Sequence, residues 1–158
     1  MEKQILPITL VIDNFRSMYN VGSLFRTAEA VGVEKMFLCG ITPFPPRQKI
    51  TKVSRRMEQL VDWVYYSDTL AVVKNLKQRG FQIVALEQSS ISKTYDSVAY
   101  KFPCALILGF EVLGISQPIL DLADVIVDIP MLGQGNSLNV SVAFGIVAYE
   151  MLRQNKKI

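Results

Sequence analysis

Apolar positions along the chain fall into two rhythms. Short uninterrupted runs make up the first: "ITLVID" (Ile8–Asp13), "KMFLCG" (Lys35–Gly40), "FQIVALE" (Phe81–Glu87), "PCALILGF" (Pro103–Phe110) and "DVIVDIP" (Asp124–Pro130). Each predicts a strand. They are continuously apolar and do not alternate, which marks strands covered on both faces, hence a parallel sheet flanked by helices. The second rhythm has helical spacing. "NVGSLFRTAEAVG" (Asn20–Gly32) predicts a helix with Asn20 as its cap and Gly32 as its stop. "DTLAVVKNLKQRG" predicts another, capped by Asp68, apolar at Leu70, Val73 and Leu76 and ended by Gly80. "SQPILDLA" reads as a short helix with Ser116 as cap, and a last helix runs from about Leu138 to Arg153, with Ser137 a candidate cap. The stretch Ile41–Gln59 holds three prolines and little periodicity, so it predicts an irregular loop with one helical turn at most. No repeat or linker interrupts this alternation, so the expectation is one α/β domain over residues 1–158, with no added RNA-binding domain.

Composition narrows the chemistry mainly by exclusion. A chain of 158 residues, half of them apolar and a fifth charged, can bury a core of its own and is not disordered. Its apolar runs are too short to span a bilayer, and its first residues lack the apolar stretch of a secretory signal. Cys39 and Cys104 lie far apart inside strand runs, so buried thiols in a reducing, cytoplasmic setting are expected. The chain has no histidine, which removes a Ser-His-Asp triad. With no paired cysteines either, no metal site is expected. No GxGxxG follows the first strand, and no phosphate-loop lysine motif occurs. The net charge of +3 is modest, but Arg47, Lys49, Lys52, Arg55 and Arg56 fall together with no acid among them. Such a run is either a solvated face or a loop that contacts phosphates.

In parallel α/β sheets, ligands bind beyond the carboxyl ends of the strands. The segments there are "NFRSMYNVG", "GFEVLGIS" and "PMLGQGNSLNVS", which hold most of the glycines and most of the polar residues without an evident structural duty. Arg26 has a plain alternative, a solvated helix residue paired with Glu29. Glu111 is harder to account for, because a carboxylate in a Gly-flanked turn after an apolar strand is not needed for solubility. Asn139, in the first turn of the last helix, has no strong structural motive.

"NVGSLFRTAEAVG", "LILGFEVLGIS" and "IPMLGQGNSLNVSVA" together resemble the three motifs of the SpoU/TrmH branch of the SPOUT RNA methyltransferases, in order and in spacing, over about Ile8 to Leu152. The resemblance implies a parallel sheet with a deep C-terminal trefoil knot, S-adenosylmethionine bound in that knot, a homodimer, and methyl transfer to a ribose 2′-hydroxyl of tRNA or rRNA. It implies functional roles for Asn20 and Arg26 in the first motif, Gly109 and Glu111 in the second, and Ile129, Ser137, Leu138 and Asn139 in the third. Of these, Asn20, Arg26, Glu111, Ser137 and Asn139 are the expected catalytic set. Leu86, Gly109, Phe110, Ile129, Met131, Ser137 and Leu138 are expected around the cofactor. Arg47, Lys49, Lys52, Arg55 and Arg56, with the basic tail Arg153–Ile158, are expected to meet RNA.

Two departures stand out. Phe110 occupies a position where the family usually has a small polar residue, and "KVSRRMEQL" replaces a stretch resembling Thr-Ala-Leu-Gly-Ala. Methyl transfer from a sulfonium is an in-line displacement, so alignment of the partners is the larger task. A guanidinium keeps its proton at any ordinary pH. Arg26 is therefore expected to donate its fork to phosphate and ribose and to stabilise developing oxyanion charge, not to act as a base. A catalytically idle RNA-binding or assembly factor on the same fold is the alternative.

Overall fold

The computed structural model describes residues 2–156; the last two residues of the basic tail lie outside them. Seven strands and five helices succeed one another along the chain: β1 Leu6–Asp13, α1 Met18–Val31, β2 Val33–Cys39, α2 Gln48–Ser54, β3 Trp63–Tyr66, α3 Thr69–Gln78, β4 Gln82–Leu86, β5 Lys93–Thr94, β6 Cys104–Leu108, α4 Gln117–Leu120, β7 Val125–Asp128 and α5 Val140–Lys156. A 3-10 turn at Met57–Gln59 follows α2. The strands form one sheet in the order β3-β2-β1-β6-β4-β7-β5, with every pairing parallel.

The continuous apolar runs divide by the period of two that a strand imposes. Leu6, Ile8, Leu10 and Ile12 of β1, with Cys104, Leu106 and Leu108 of β6, face Leu24, Phe25 and Ala28 of α1 and Phe144, Val147 and Met151 of α5. Val11, with Ala105 and Ile107 of β6 and Ile83 and Ala85 of β4, faces Val72, Val73 and Leu76 of α3 and Ile119 of α4. Both faces are therefore dry, as the apolar runs require. Cys39 and Cys104 are buried free thiols in the central strands, and burial is the main cause that pushes each thiol up to about 12. They are inert packing residues at neutral pH.

Several local expectations are corrected. Asn20 does not cap α1. Ser17 does, its side chain accepting from the Asn20 amide at 3.1 Å, and Asn20 stands inside the first turn. Gly32 ends the helix as expected, in the left-handed conformation (φ 83°) that glycine tolerates. Ser137 is not the cap of the last helix, which starts at Val140. Asn139 takes that place, its Oδ1 accepting from the Ser141 amide at 2.9 Å. Ser116 precedes α4 but makes no capping bond through its side chain, and that helix is a single turn.

Two strands and one helix escaped the pattern. β3 is an aromatic edge strand with no fully buried position, and β5 is two residues long. α2 lies within the stretch expected to be irregular. It is held by packing on α1 at Gly22, where an added Cβ would lie 2.8 Å from the Ile50 carbonyl oxygen and 2.9 Å from Val53 Cβ. Near the end of α5, Gln154 accepts from the Tyr100 amide and donates to the Val98 carbonyl, both at 2.9 Å. The C-terminal helix is thereby tied to the connection between β4 and β6.

Candidate active site

The carboxyl ends of β4, β6 and β7 open into a cavity of about 310 Å³, at the lower end of the range of small-molecule sites. Leu86, Glu87 and Gln88 line it from the end of β4. Gly109, Phe110, Glu111, Val112 and Gly114 come from the loop after β6, Asp128, Ile129 and Met131 from the end of β7, and Ser137, Leu138, Val140 and Ala143 from the approach to α5. Every residue expected around a cofactor stands in this lining. Its charged members are Glu87, Glu111 and Asp128, and none is basic. That donor set suits a cationic ligand with neutral hydrogen-bonding edges, and it does not suit a phosphate-bearing one.

The loop after β6 is shaped by two glycines. A Cβ at Gly109 would lie 2.5 Å from both the Gly114 carbonyl carbon and the Ile115 nitrogen, so only glycine lets the loop fold back on itself there. The Gly114 amide donates to the Phe110 carbonyl at 2.8 Å and closes the turn. Gly114 itself is left-handed (φ 70°). Glu87 holds the returning strand of this loop, its Oε2 accepting from the Ile115 amide at 2.9 Å. The sequence offered one signal for Glu87, an acid placed at the carboxyl end of an apolar strand; read only as a strand residue, it went unassigned. Arg16 also went unassigned. Its guanidinium lies 4.7 Å from the centre of the Phe110 ring, a cation–π contact that an aromatic side chain at position 110 makes possible and a small polar one does not. A second cavity of about 500 Å³, lined in part by Asp13, Asn14, Arg16, Phe110 and Gly114, adjoins the first across this ring.

The three polar motifs meet in one hydrogen-bonded chain. Glu111 accepts from the Asn20 side-chain amide at 3.3 Å and from the Arg16 and Ser17 backbone amides at 3.4 Å. Asn139 donates to Asn20 Oδ1 at 3.2 Å while accepting from the Ser141 amide and hydroxyl at 2.9 and 2.5 Å. One network thus links the start of α1, the loop after β6 and the start of α5. Asn20 is buried within it, which explains why its amide is not free to cap a helix. Ser137 lines the cavity without a side-chain partner among the described residues.

Arg26 stands apart. It is exposed on α1, outside the cavity lining, and makes neither an ion pair with Glu29 nor any side-chain hydrogen bond among the described residues. Six positions beyond Asn20, it is turned about 120° round the helix from the network. It shares that outward face with Tyr19, 62% exposed, and α5 packs beside it with Val142 and Tyr149 half exposed. The five basic residues Arg47, Lys49, Lys52, Arg55 and Arg56 are all exposed, Arg47 just before α2, the two lysines on it and the other two arginines just after it.

Comparison with known proteins agrees with this geometry. The SpoU rRNA methylase family model matches residues 7–149. The chain is 35% identical over 161 aligned positions to the tRNA (guanosine(18)-2′-O)-methyltransferase of Aquifex aeolicus, covering 99% of this chain and 74% of that one. The crystal structure of the A. aeolicus TrmH/SpoU tRNA modifying enzyme superposes with a TM-score of 0.88 at 33% identity, over 99% of this chain and 79% of that one. The methyltransferase AviRb of Streptomyces viridochromogenes, in complex with the cofactor AdoMet, shares the fold with a TM-score of 0.87 at 23% identity, over all of this chain and 63% of its own. A structure described by the 2-OH methylation of C/U34 on tRNA matches with a TM-score of 0.83 at 25% identity, over 97% of this chain and 100% of that one.

Proposed function

The chain belongs to the SpoU rRNA methylase family, and on that premise we propose that it transfers a methyl group from S-adenosylmethionine to a ribose 2′-hydroxyl of RNA, with tRNA as the substrate class. The observation that carries the reading is the cavity at the ends of β4, β6 and β7, whose acidic and neutral lining suits a sulfonium-bearing ligand. The choice of tRNA is supported by the A. aeolicus relative and by the structure concerned with C/U34 of tRNA.

S-adenosylmethionine supplies an electrophilic methyl group already activated by its sulfonium charge. What this chain adds is placement. Leu86, Gly109, Phe110, Ile129, Met131, Ser137 and Leu138 would hold the cofactor, the backbone groups of the glycine-shaped loop meeting its neutral edges. Glu111, Asn20 and Asn139 act on the reacting groups only through the loops they bind together. The trefoil knot of the family fold would make the cofactor loop from threaded chain.

The cavity lining contains no cation, yet the attacking oxygen gains negative charge as its proton leaves. Arg26 is the first-motif cation and is exposed on α1, where Tyr19 is exposed too, and the adjoining α5 exposes Val142 and Tyr149. Pairing of two copies through this surface would cover the apolar residues and bring the partner's Arg26 to the site, so a homodimer belongs to this reading. The basic residues on and after α2 would supply affinity for the RNA backbone. Among the described residues, no helix is long and apolar enough to cross a membrane, and an RNA substrate with two unoxidised thiols fits work in the cytoplasm.

Calorimetric titration with S-adenosylmethionine tests the cofactor, and nucleoside mass spectrometry of tRNA and rRNA from a strain lacking the gene tests the product. Saturable binding and the loss of one 2′-O-methylated nucleoside are expected. Binding without any lost nucleoside would favour an idle RNA-binding factor, and absence of binding would overturn the enzyme reading.

A further inference from the structure

The end of α2 carries a conformation that its sequence does not favour. Arg55 and Arg56 are consecutive, both left-handed (φ 57° and 67°), and neither is glycine. A left-handed residue after a helix is common, but glycine or asparagine normally takes the position because a Cβ is strained there. Two adjacent arginines in that region conflict with the local rule, and such conflicts gather at functional sites.

The surroundings show what enforces it. α2 is pinned on α1 by the close approach at Gly22. Glu58, in the 3-10 turn that follows, is buried, and its carboxylate accepts from the Thr51 hydroxyl at 2.7 Å and from the Ser54 hydroxyl. Ser54 Oγ in turn accepts from the Arg56 amide at 3.2 Å. The turn is closed by the Leu60 amide donating to the Met57 carbonyl at 2.9 Å. Burial works against charge on Glu58, but the Ser54 and Thr51 hydroxyls, its own backbone amide and the Arg56 charge hold the carboxyl below its usual range. An ionised carboxylate is thus spent inside a basic segment on joining α2 to the turn beyond the two arginines. Meanwhile the side chains of Arg55 and Arg56 are exposed and form no ion pair among the described residues. Lys49 and Lys52, three apart on α2 and equally free, extend the same positive surface.

We infer that the Arg55–Arg56 corner is a preshaped clamp for the phosphates of the RNA substrate, and that Glu58 is the positioning residue that holds the corner in its strained shape. The inference rests on the RNA reading above and assigns that reading's docking element. Strain maintained in the free protein means that less ordering remains to be done when the RNA binds.

The test measures bulk tRNA affinity by fluorescence anisotropy across a series of salt concentrations, with thermal unfolding and S-adenosylmethionine calorimetry on the same proteins. Arg55→Gly and Arg56→Gly each relieve a strained position and remove one phosphate contact. Each should therefore raise Tm, while the slope of log affinity against log salt falls by roughly 0.7–0.9 per arginine removed. A merely structural role cannot move stability and RNA binding in opposite directions. Glu58→Ala keeps both arginines, yet it should lower tRNA affinity several-fold and blunt the slope, with cofactor affinity unchanged. Glu58→Gln, still able to join both hydroxyls, should recover most of the loss. If the wild-type protein binds tRNA and both glycine variants keep its salt slope, the clamp is overturned and the methyltransferase reading stands. If the wild-type protein binds the cofactor but shows no salt-dependent affinity for tRNA, the clamp falls with the choice of substrate.

Discussion

Replacing Gly114 by alanine should disable the cofactor loop through two separable costs. The first is conformational: at φ 70° an L-residue is strained, at a cost of about 1–2 kcal/mol. The second is a collision. The new Cβ would lie 2.3 Å from Glu87 Oε2, so the Glu87 side chain must swing away and give up the bond it accepts from the Ile115 amide at 2.9 Å. A hydrogen bond to a charged group contributes about 1.5–3 kcal/mol, and the lower end applies because Glu87 is half exposed and regains water.

Together the costs come to about 3 kcal/mol, borne by one loop. A loop can escape part of such a penalty by opening locally, so the global loss should be smaller, a fall in Tm of about 3–6 °C. Cofactor affinity cannot escape it, because the loop after β6 contributes Gly109, Phe110, Glu111 and Val112 to the cavity. S-adenosylmethionine affinity measured by calorimetry should drop by about 10-fold or more. The decisive control is the double variant. In a Glu87→Ala background the collision partner is gone, so Gly114→Ala should cost only its conformational share, about half of its effect alone. Wild-type cofactor affinity in Gly114→Ala, or full additivity in the cycle, would refute the assignment of Glu87 as the residue that holds this loop.

Three further outcomes follow from the same geometry. Asn139→Asp keeps the acceptor that caps α5 but loses the donor to Asn20, so Tm should stay within about 2 °C of wild type while methylation falls; Asn139→Ala loses both, with a capping cost of about 1 kcal/mol visible in thermal unfolding. Arg26→Lys keeps the charge of an exposed side chain and loses its fork, so Tm and cofactor affinity should be unchanged while turnover drops by about 100-fold or more in a radiolabelled methyl-transfer assay. Burial opposes charge on Asp124, but the Ile83 amide at 2.7 Å and Lys77 at 3.0 Å hold its carboxyl below the ordinary value. A lowered folded value stabilises the protein above the unfolded pKa and is lost as pH falls through the folded one, so Tm should decline on acidification below about pH 4 and Asp124→Asn should flatten that decline.

The sheet was legible because strands covered on both faces are apolar on both, as β6 is throughout and as β1 and β4 are apart from Thr9, Asp13 and Gln82. Asp68 was legible as a cap because nothing competes for its side chain, which accepts from the Ala71 amide at 3.1 Å. Asn20 and Ser137 were misread for the opposite reason. Local capping preference named both, but tertiary bonding had already claimed Asn20 for Glu111 and Asn139, leaving the caps to Ser17 and Asn139. α2 could not be read from periodicity, since only Ile50 and Ser54 of its seven residues are buried and its support is the Gly22 contact. β3 and β5 are edge strands, the first aromatic and half exposed and the second too short to carry a pattern. Glu87 illustrates a further limit. Its role depends on a loop that returns from residue 115, a proximity that the sequence around position 87 does not encode.

The network also bears on which group can take a proton. Both carboxylate oxygens of Glu111 already accept hydrogen bonds, one from Asn20 and the Ser17 amide and the other from the Arg16 amide. A carboxylate whose two oxygens are both taken up in tying α1 to the loop after β6 serves as a brace and is not free to meet a substrate hydroxyl. Asn20 and Asn139 are committed to each other and to a helix start, and amides do not titrate. On the proposed reading the chemistry of the chain is arrangement: three segments far apart in sequence are locked together at one edge of the sheet. On that reading the hydroxyl proton would leave to water or to an RNA phosphate oxygen, and the Arg26 guanidinium would stabilise the charge that remains. That division of labour needs no histidine, and the proposed homodimer would let Arg26 of a second copy supply the cation that the cavity lining of one chain lacks.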